Sequence, residues 1–238
     1  MIKFENYGVV GWEHAIRGMR NPMNSWDKSD SGWFNGYVDH NNITVQTFGE
    51  YDEYQIGPND RKLMMNLAKS GSDHGKFRRM IVVYVDITAP LYWWKEFDTY
   101  KVGTVANSCS TMHKIHEKEF TLEDFSHEHL IQEPYFGIEN PTNTGDYFDP
   151  YAVMALTVDM LNHCRSLYLL SHDKKYWWQM IQLLPSSYNQ RRTIEMNYEN
   201  LANMYKSRKN HKLDEWRALC DWIKTLPYSE IITLEEKE

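Results

Sequence analysis

The sequence predicts an α+β (α/β) protein: a small central sheet packed with helices, with long helices toward the C-terminal end. Three observations carry this. Ile81, Val83, Val85 and Ile87 share one face of an extended run, while Val82 and Tyr84 make the other face apolar too, which predicts a central, buried strand. Residues Tyr151 to Leu170 repeat apolar positions at helical spacing, and Lys174 to Leu184 continue the pattern after a break at Ser171-His172-Asp173. Finally, 238 residues, 42% of them hydrophobic, suffice to bury a sizeable core in one large domain or two small ones.

In chain order, Ile2 to Tyr7 reads as a first strand and Trp12 to Met19 as a short helix. NPMNSWDKSDSGWFNG is polar and turn-rich, so a loop is expected. Asn59 to Lys69 reads as a helix that Gly71 stops. The apolar strand ends at Pro90, and the aromatic stretch from Leu91 to about Tyr100 fits another helix. From Lys114 to Pro150 the chain is irregular and acidic, with Pro134, Pro141 and Pro150, as in an insertion or lid. Pro185 stops the helix from Lys174; further helices are expected over Asn197 to Arg208 and Leu213 to Leu226. No internal repeat is visible.

The net charge of −7 gives no footprint for duplex nucleic acid or an anionic membrane. No run of 18 apolar residues predicts a transmembrane helix, and MIKFENYGVV has no signal-peptide pattern. The three cysteines are odd in number and widely spaced, which fits a reducing, cytoplasmic setting. Nine Trp and sixteen Tyr supply large apolar area with polar tips, for a core, an interface or stacking on a flat heterocycle.

His113, His116, His127 and His129 lack the ligand set of a zinc centre and read as solvated; no metal is expected. Cys109 in NSCST reads as a small buried cysteine rather than a nucleophile. Glycine-rich dinucleotide, P-loop and GxSxG patterns are absent. More telling is NYENLANMYKSR. At about 100° per residue, Asn197 and Arg208 share one helix face roughly 16 Å apart, and Asn203 points about a third of a turn away. Such a helix is either a solvated face with scattered amides or one that touches two polar ligands.

These pieces, in this order, resemble the flavin-dependent thymidylate synthases. In that family a Leu-Pro pair is followed at fixed spacings by Asn, Asn and Arg; Leu184-Pro185, Asn197, Asn203 and Arg208 keep all three spacings. EHAIRGMRNPMNSWDKSD is similar to the family's N-terminal helix and serine-containing loop, with Arg17 at the arginine. NLAKSGSDHGKF is similar to its Gly-His turn before the central strand. APLYWWKEFDTYKVGT sits at the family's Gln-Trp-x-Arg-His-Arg-x-x-Ser signature and does not match it. Glu96 and Phe97 stand at Gln-Trp, Thr99, Tyr100 and Lys101 at Arg-His-Arg, and Thr104 at Ser. Met112 and Ile181 occupy family arginine positions, Glu199 a basic one, and Ser72 the His of Gly-His.

The resemblance implies one domain over 1–238 that binds FAD through Asn197, Asn203, His74 and Arg78. It implies a pyrimidine nucleotide held by Arg208, Lys101, Ser110, Glu96 and Tyr100. By family analogy dUMP or a related nucleotide is methylated through flavin hydride transfer, with NADPH and methylene-tetrahydrofolate if that reaction is retained; no catalytic residue is assigned. A homotetramer is expected by the same analogy. Each missing arginine removes a charge-assisted contact of roughly 1.5–3 kcal/mol to phosphate. The alternative is therefore a non-catalytic nucleotide-binding or sequestering protein of phage or prophage type on the same scaffold. A further option is a structural assembly protein whose site Tyr100, Met112 and Phe97 fill.

Overall fold

The structure is a computed structural model that describes residues 2–34, 37–38, 44–45, 53–133, 137–139 and 147–235. It is α+β. The chain opens with strand β1 (Lys3–Val10) and helix α1 (Trp12–Arg20). Gly11 makes the turn between them at φ 95°, where a Cβ would collide with the carbonyl oxygen of Met80. Trp12, Ala15, Ile16 and Met19 recur at helical spacing and form the buried face of α1.

The expected loop is partly ordered into turns of 3-10 helix at Asn21–Met23 and Trp26–Lys28. Short strands follow: β2 (Gly32–Phe34), β3 (Tyr37–Val38), β4 (Thr44–Val45) and β5 (Glu53–Gln55). β2 pairs antiparallel with β5, and β3 with β4; Asn35 and Gly36 lie outside the described residues. Helix α2 (Pro58–Lys69) starts on a proline, and its first amides are capped at a distance by Asp30, which accepts from Asn59 N at 2.8 Å and Asp60 N at 3.1 Å. Gly71, at φ 98°, follows its end.

A 3-10 segment, Gly75–Met80, leads into β6 (Val82–Pro90) and then α3 (Leu91–Phe97). Beyond come β7 (Val105–Ser108), α4 (Thr111–Lys114), the hairpin β8 (Ile138–Glu139) and β9 (Tyr147–Phe148), then α5 (Pro150–Ser171) and α6 (Lys174–Leu183). Asp149 caps α5 through Ala152 N, His172 ends it in a left-handed conformation, and Asp173 caps α6 through Lys175 N. The last elements are β10 (Asn189–Asn197), α7 (Tyr198–Arg208), α8 (Asp214–Thr225) and α9 (Glu230–Thr233).

The main sheet has the order β1-β6-β10-β7, so β6 is an inner strand as expected. Its expected burial on both faces is corrected. Ile81, Val83, Val85 and Ile87 are buried, whereas Tyr84 is 45% exposed. Asp86, on the same side as Tyr84, pairs with Arg191 Nη2 at 2.6 Å and accepts from Thr193 Oγ1 at 2.6 Å. One face thus carries the core and the other a polar ladder. Cys109 is likewise corrected: it is exposed just past the end of β7, while Cys164 and Cys220 are buried. The sequence pattern predicts neither β7 nor β10, although Gln190, Ile194 and Met196 fall on one period-two face of β10.

The contacts divide the chain into two compact units. One comprises Met1–Glu5, Asp86–Lys101 and Ala106–Ile194. Its helices α5 and α6 pack over Ile115, Phe120, Phe125, Leu161 and Met180. Ile115, Phe120 and Phe125 of the stretch expected to form an insertion therefore belong to this core. Phe120 is clamped by Asn162, which accepts from its amide and donates to its carbonyl, each at 2.8 Å. Residues 134–136 and 140–146 of that stretch lie outside the described residues. The other unit comprises Asn6–Val85, Val102–Val105 and Glu195–Glu238. In it α7 packs against the 3-10 segment Gly75–Met80 and against α8 and α9.

Candidate functional site

In the second unit, the segments around α1 and α2 enclose a cavity of about 790 Å³. Its walls are Met19 from α1, Met23 after it, Leu63 and Leu67 from α2, and Phe77 and Met80 from the 3-10 segment. Its rim is polar: Ser25, Asp73, His74, Lys76 and Arg79. Helical spacing explains the wall, because Leu63 and Leu67 lie one turn apart on α2. A volume of this size suits a ligand with a flat apolar part and a charged part, since such ligands need greasy walls and a few placed polar groups.

A buried network fixes the loop on one side. Asp60 is fully buried and accepts from Arg20 Nε at 2.6 Å, Ser29 Oγ at 2.7 Å, Asp30 N at 3.1 Å and Ser31 Oγ at 2.7 Å. Arg20, itself 4% exposed, also donates to the carbonyls of Ser25 and Lys28. Burial alone would push the Asp60 carboxyl up, but the Ser29, Ser31 and Arg20 hydrogen bonds, with the Arg20 charge, hold it below the usual carboxylate range. The Ser25–Ser31 segment is thus tied to α1 and α2 by ionic bonds rather than by apolar contact.

On the other side, Arg78 is buried, donating from Nε to the Gly75 carbonyl and from Nη1 to the Ile231 carbonyl, both at 3.3 Å. Burial draws its guanidinium below the ordinary arginine value, against the nearby Glu199 charge. Arg79 points outward and pairs in a fork with Glu199, through Nε to Oε2 and Nη2 to Oε1. Glu199 is the acidic residue found where the resemblance expects a base, and Arg79 is the cation that neutralises it.

Asn197 does not lie within a helix turn. It is the cap of α7: its Oδ1 accepts from Glu199 N at 3.1 Å and Asn200 N at 3.0 Å, and Asn200 Oδ1 accepts from Asn197 N at 3.1 Å. The segment Val102–Thr104 sits on this cap. Asn200 Nδ2 donates to the Val102 carbonyl at 2.7 Å, and a Cβ on Gly103 (φ 76°) would lie 3.1 Å from the Asn197 amide nitrogen. Asn203 is exposed. The guanidinium of Arg208 stacks over the ring of buried Trp216, 4.5 Å from its centroid.

The remaining expected residues belong to the first unit. Glu96 and Tyr100 are half-buried and Lys101 is exposed. Ser110 uses its hydroxyl to cap α4, accepting from His113 N at 3.1 Å. The segment at the unmatched signature is organised as core. Phe97 is 2% exposed and stacks on Trp93, and the Arg192 guanidinium lies 4.2 Å over the Trp94 ring while pairing with Asp98 at 2.8 Å. Ile181 packs on the α5–α6 core, and Met112 is exposed, its carbonyl accepting from Trp177 Nε1. His116 is half-buried against Tyr168, and His127 Nδ1 donates to the Phe125 carbonyl at 2.9 Å; among the described residues no three potential metal ligands converge.

Of the expected residues, the structure brings His74 to the cavity and sets Arg78 beside it in the 3-10 segment, while Asn197 holds a helix end. Sequence reasoning missed the network of Arg20 and Asp60: an arginine in the last turn of α1 and an aspartate in the first turn of α2 are ordinary helix-end charges, and only the fold pairs them.

No protein-family model matches this chain, and no curated protein does. Solved structures do. Thymidylate synthase X from Helicobacter pylori with FAD and dUMP superposes with a TM-score of 0.61 at 16% identity, over 98% of this chain and 96% of that one. A second structure of that enzyme, complexed with FAD and dUMP, gives 0.60 at 17% identity over 98% and 97%. A UMP/dUMP methylase, PolB from Streptomyces cacaoi bound with 5-Br UMP, gives 0.58 at 14% identity over 98% and 95%. The chain therefore has the thymidylate synthase X fold, end to end.

Proposed function

We propose that this chain, with its thymidylate synthase X fold, binds FAD and a pyrimidine nucleotide and acts on dUMP or a related nucleotide. The observation that carries the reading is the 790 Å³ cavity formed by the two segments similar to the family's serine loop and Gly-His turn. Its residues fit a flavin dinucleotide in kind. Met19, Leu63, Leu67 and Phe77 offer apolar walls to a flat ring, and Lys76 and His74 offer donors to a phosphate at the rim. Asn197 and Asn203 of α7 and Arg78 of the 3-10 segment would meet the flavin, and Arg208, Lys101, Ser110, Glu96 and Tyr100 the nucleotide. A bound flavin would supply hydride transfer to the pyrimidine ring, with NADPH and methylene-tetrahydrofolate as the other reactants of a methylation. The protein's own part is to bind, orient and exclude water.

A non-catalytic nucleotide-binding role has its own support. Ile181 in the core, exposed Met112 and the Arg79–Glu199 pair together leave fewer cations for phosphate than the resemblance requires. A homo-oligomer is supported by the exposed Val153, Leu156 and Met160, which share one face of α5.

FAD titrated into the purified full-length chain, followed by flavin fluorescence, tests the reading. Saturable binding is expected, weakened about tenfold by Lys76→Glu and abolished by Leu63→Trp, which fills the cavity. A colourless protein that takes up no FAD overturns it. FAD uptake without flavin turnover in the presence of dUMP, NADPH and methylene-tetrahydrofolate selects the non-catalytic role.

A further inference from the structure

A second cavity, of about 510 Å³, lies between the edge strand β1, the start of α1, the paired strands β2 and β5 and the turn before α9. Its walls are aromatic. Trp33 and Tyr54 are opposed partners across the β2–β5 pair and meet edge to face at 5.3 Å. Trp12 meets Tyr228 the same way at 5.2 Å, and Tyr7 completes the lining. Three of these rings are well presented to a guest: Trp33 is 60% and Tyr7 49% exposed, and Tyr228 is partly exposed.

Tyr228 holds its place at φ 50°, a left-handed backbone that costs a bulky residue energy. Its hydroxyl is anchored by the amide of Ile56, which donates to it at 3.1 Å. The surrounding structure therefore pays to keep this ring where it is.

Among the described lining residues there is no lysine or arginine; the titratable groups beside the tyrosines are His14 and Glu13, and the Glu13 Oε2 accepts from Trp33 Nε1 at 3.3 Å. Burial first, then the Asp60 and Glu13 carboxylates, push the Tyr54 hydroxyl above its usual value. A phosphate would meet no cation here. A cation would meet ring faces, which attract it through their quadrupoles, and a carboxylate held in place by Trp33.

We propose that this cavity binds a small organic cation of the quaternary or alkylated ammonium class. The rings surround the alkylated head, and Glu13 supplies the counter-charge at the rim. The site is separate from the flavin cavity and does not depend on what that cavity holds.

The test is calorimetric titration of choline into the full-length chain at constant ionic strength, beside its neutral carbon isostere, dimethylbutanol. Saturable choline binding is expected, with the isostere at least about tenfold weaker. Trp33→Leu and Glu13→Gln change exposed side chains and should leave thermal unfolding unchanged while each weakens choline about tenfold. Equal binding of choline and isostere overturns the proposal, because the cavity is then merely apolar. So does choline binding that neither variant alters, or no saturable heat at all.

Discussion

Replacing Asp60 with alanine should unfold this protein far more readily than any exposed charge change. The carboxylate is fully buried and accepts four hydrogen bonds, one from Arg20 and three from the Ser29–Ser31 segment. Arg20 is 4% exposed, so the variant strands a guanidinium away from water. Removing one partner of a buried ion pair costs about 3–5 kcal/mol, consistent with about 1 kcal/mol for each of the lost bonds. For a chain of this size that is on the order of 10 °C in Tm. Urea unfolding followed by circular dichroism measures it. The double variant Arg20→Met/Asp60→Ala should recover part of the loss, since the stranded charge is gone. A loss below about 1 kcal/mol in Asp60→Ala, or a double variant worse than the sum of the singles, would refute the ionic account of this loop. The pH dependence has a fixed sign. The folded Asp60 carboxyl lies below its unfolded value, so the stabilisation is complete above the ordinary carboxylate range and is lost as pH falls through that range toward the folded value. An Asp60→Asn variant should show a flatter acid limb than the parent.

Gly11→Ala should destabilise the chain by more than about 1 kcal/mol, because it combines a φ of 95° with a collision against the Met80 carbonyl; thermal unfolding reads it. Leu161→Ala, which empties a fully buried position in the α5–α6 core, should cost about 2–5 kcal/mol in urea titration. Glu199→Gln frees Arg79 at the cavity rim and should tighten FAD severalfold in the fluorescence titration; weaker binding would remove Arg79 from the site. Finally, Cys109 should react with a thiol reagent in the native protein. Cys164 and Cys220 should react only on unfolding, since both are buried and burial pushes the Cys220 thiol to about 11.

The site was less legible in the sequence than the fold. The resemblance assigns His74 to a flavin site; in the structure it lines the cavity between α1 and α2. Asn197 stands at the start of α7 rather than inside a helix: its amide oxygen caps α7, a role that the Asn197–Asn200 spacing also encodes. Spacing fixes which residues share a face of a helix. It carries no information on where that helix begins, or on whether a guanidinium such as that of Arg208 meets a ligand or a tryptophan.

By itself the sequence determined the helices of α1, α2, α5, α6 and α8, the inner strand β6, and the order of segments that matches the thymidylate synthase X fold, because periodicity, prolines and caps act over a few residues. Tertiary structure alone decided that β10 pairs beside β6, that Glu199 is answered by Arg79, that Asp60 binds Arg20 forty residues away, and that five aromatic side chains from four segments surround one cavity. Those are contacts between parts of the chain remote in sequence. Their energies come from burial and charge pairing across the fold, which no local pattern records.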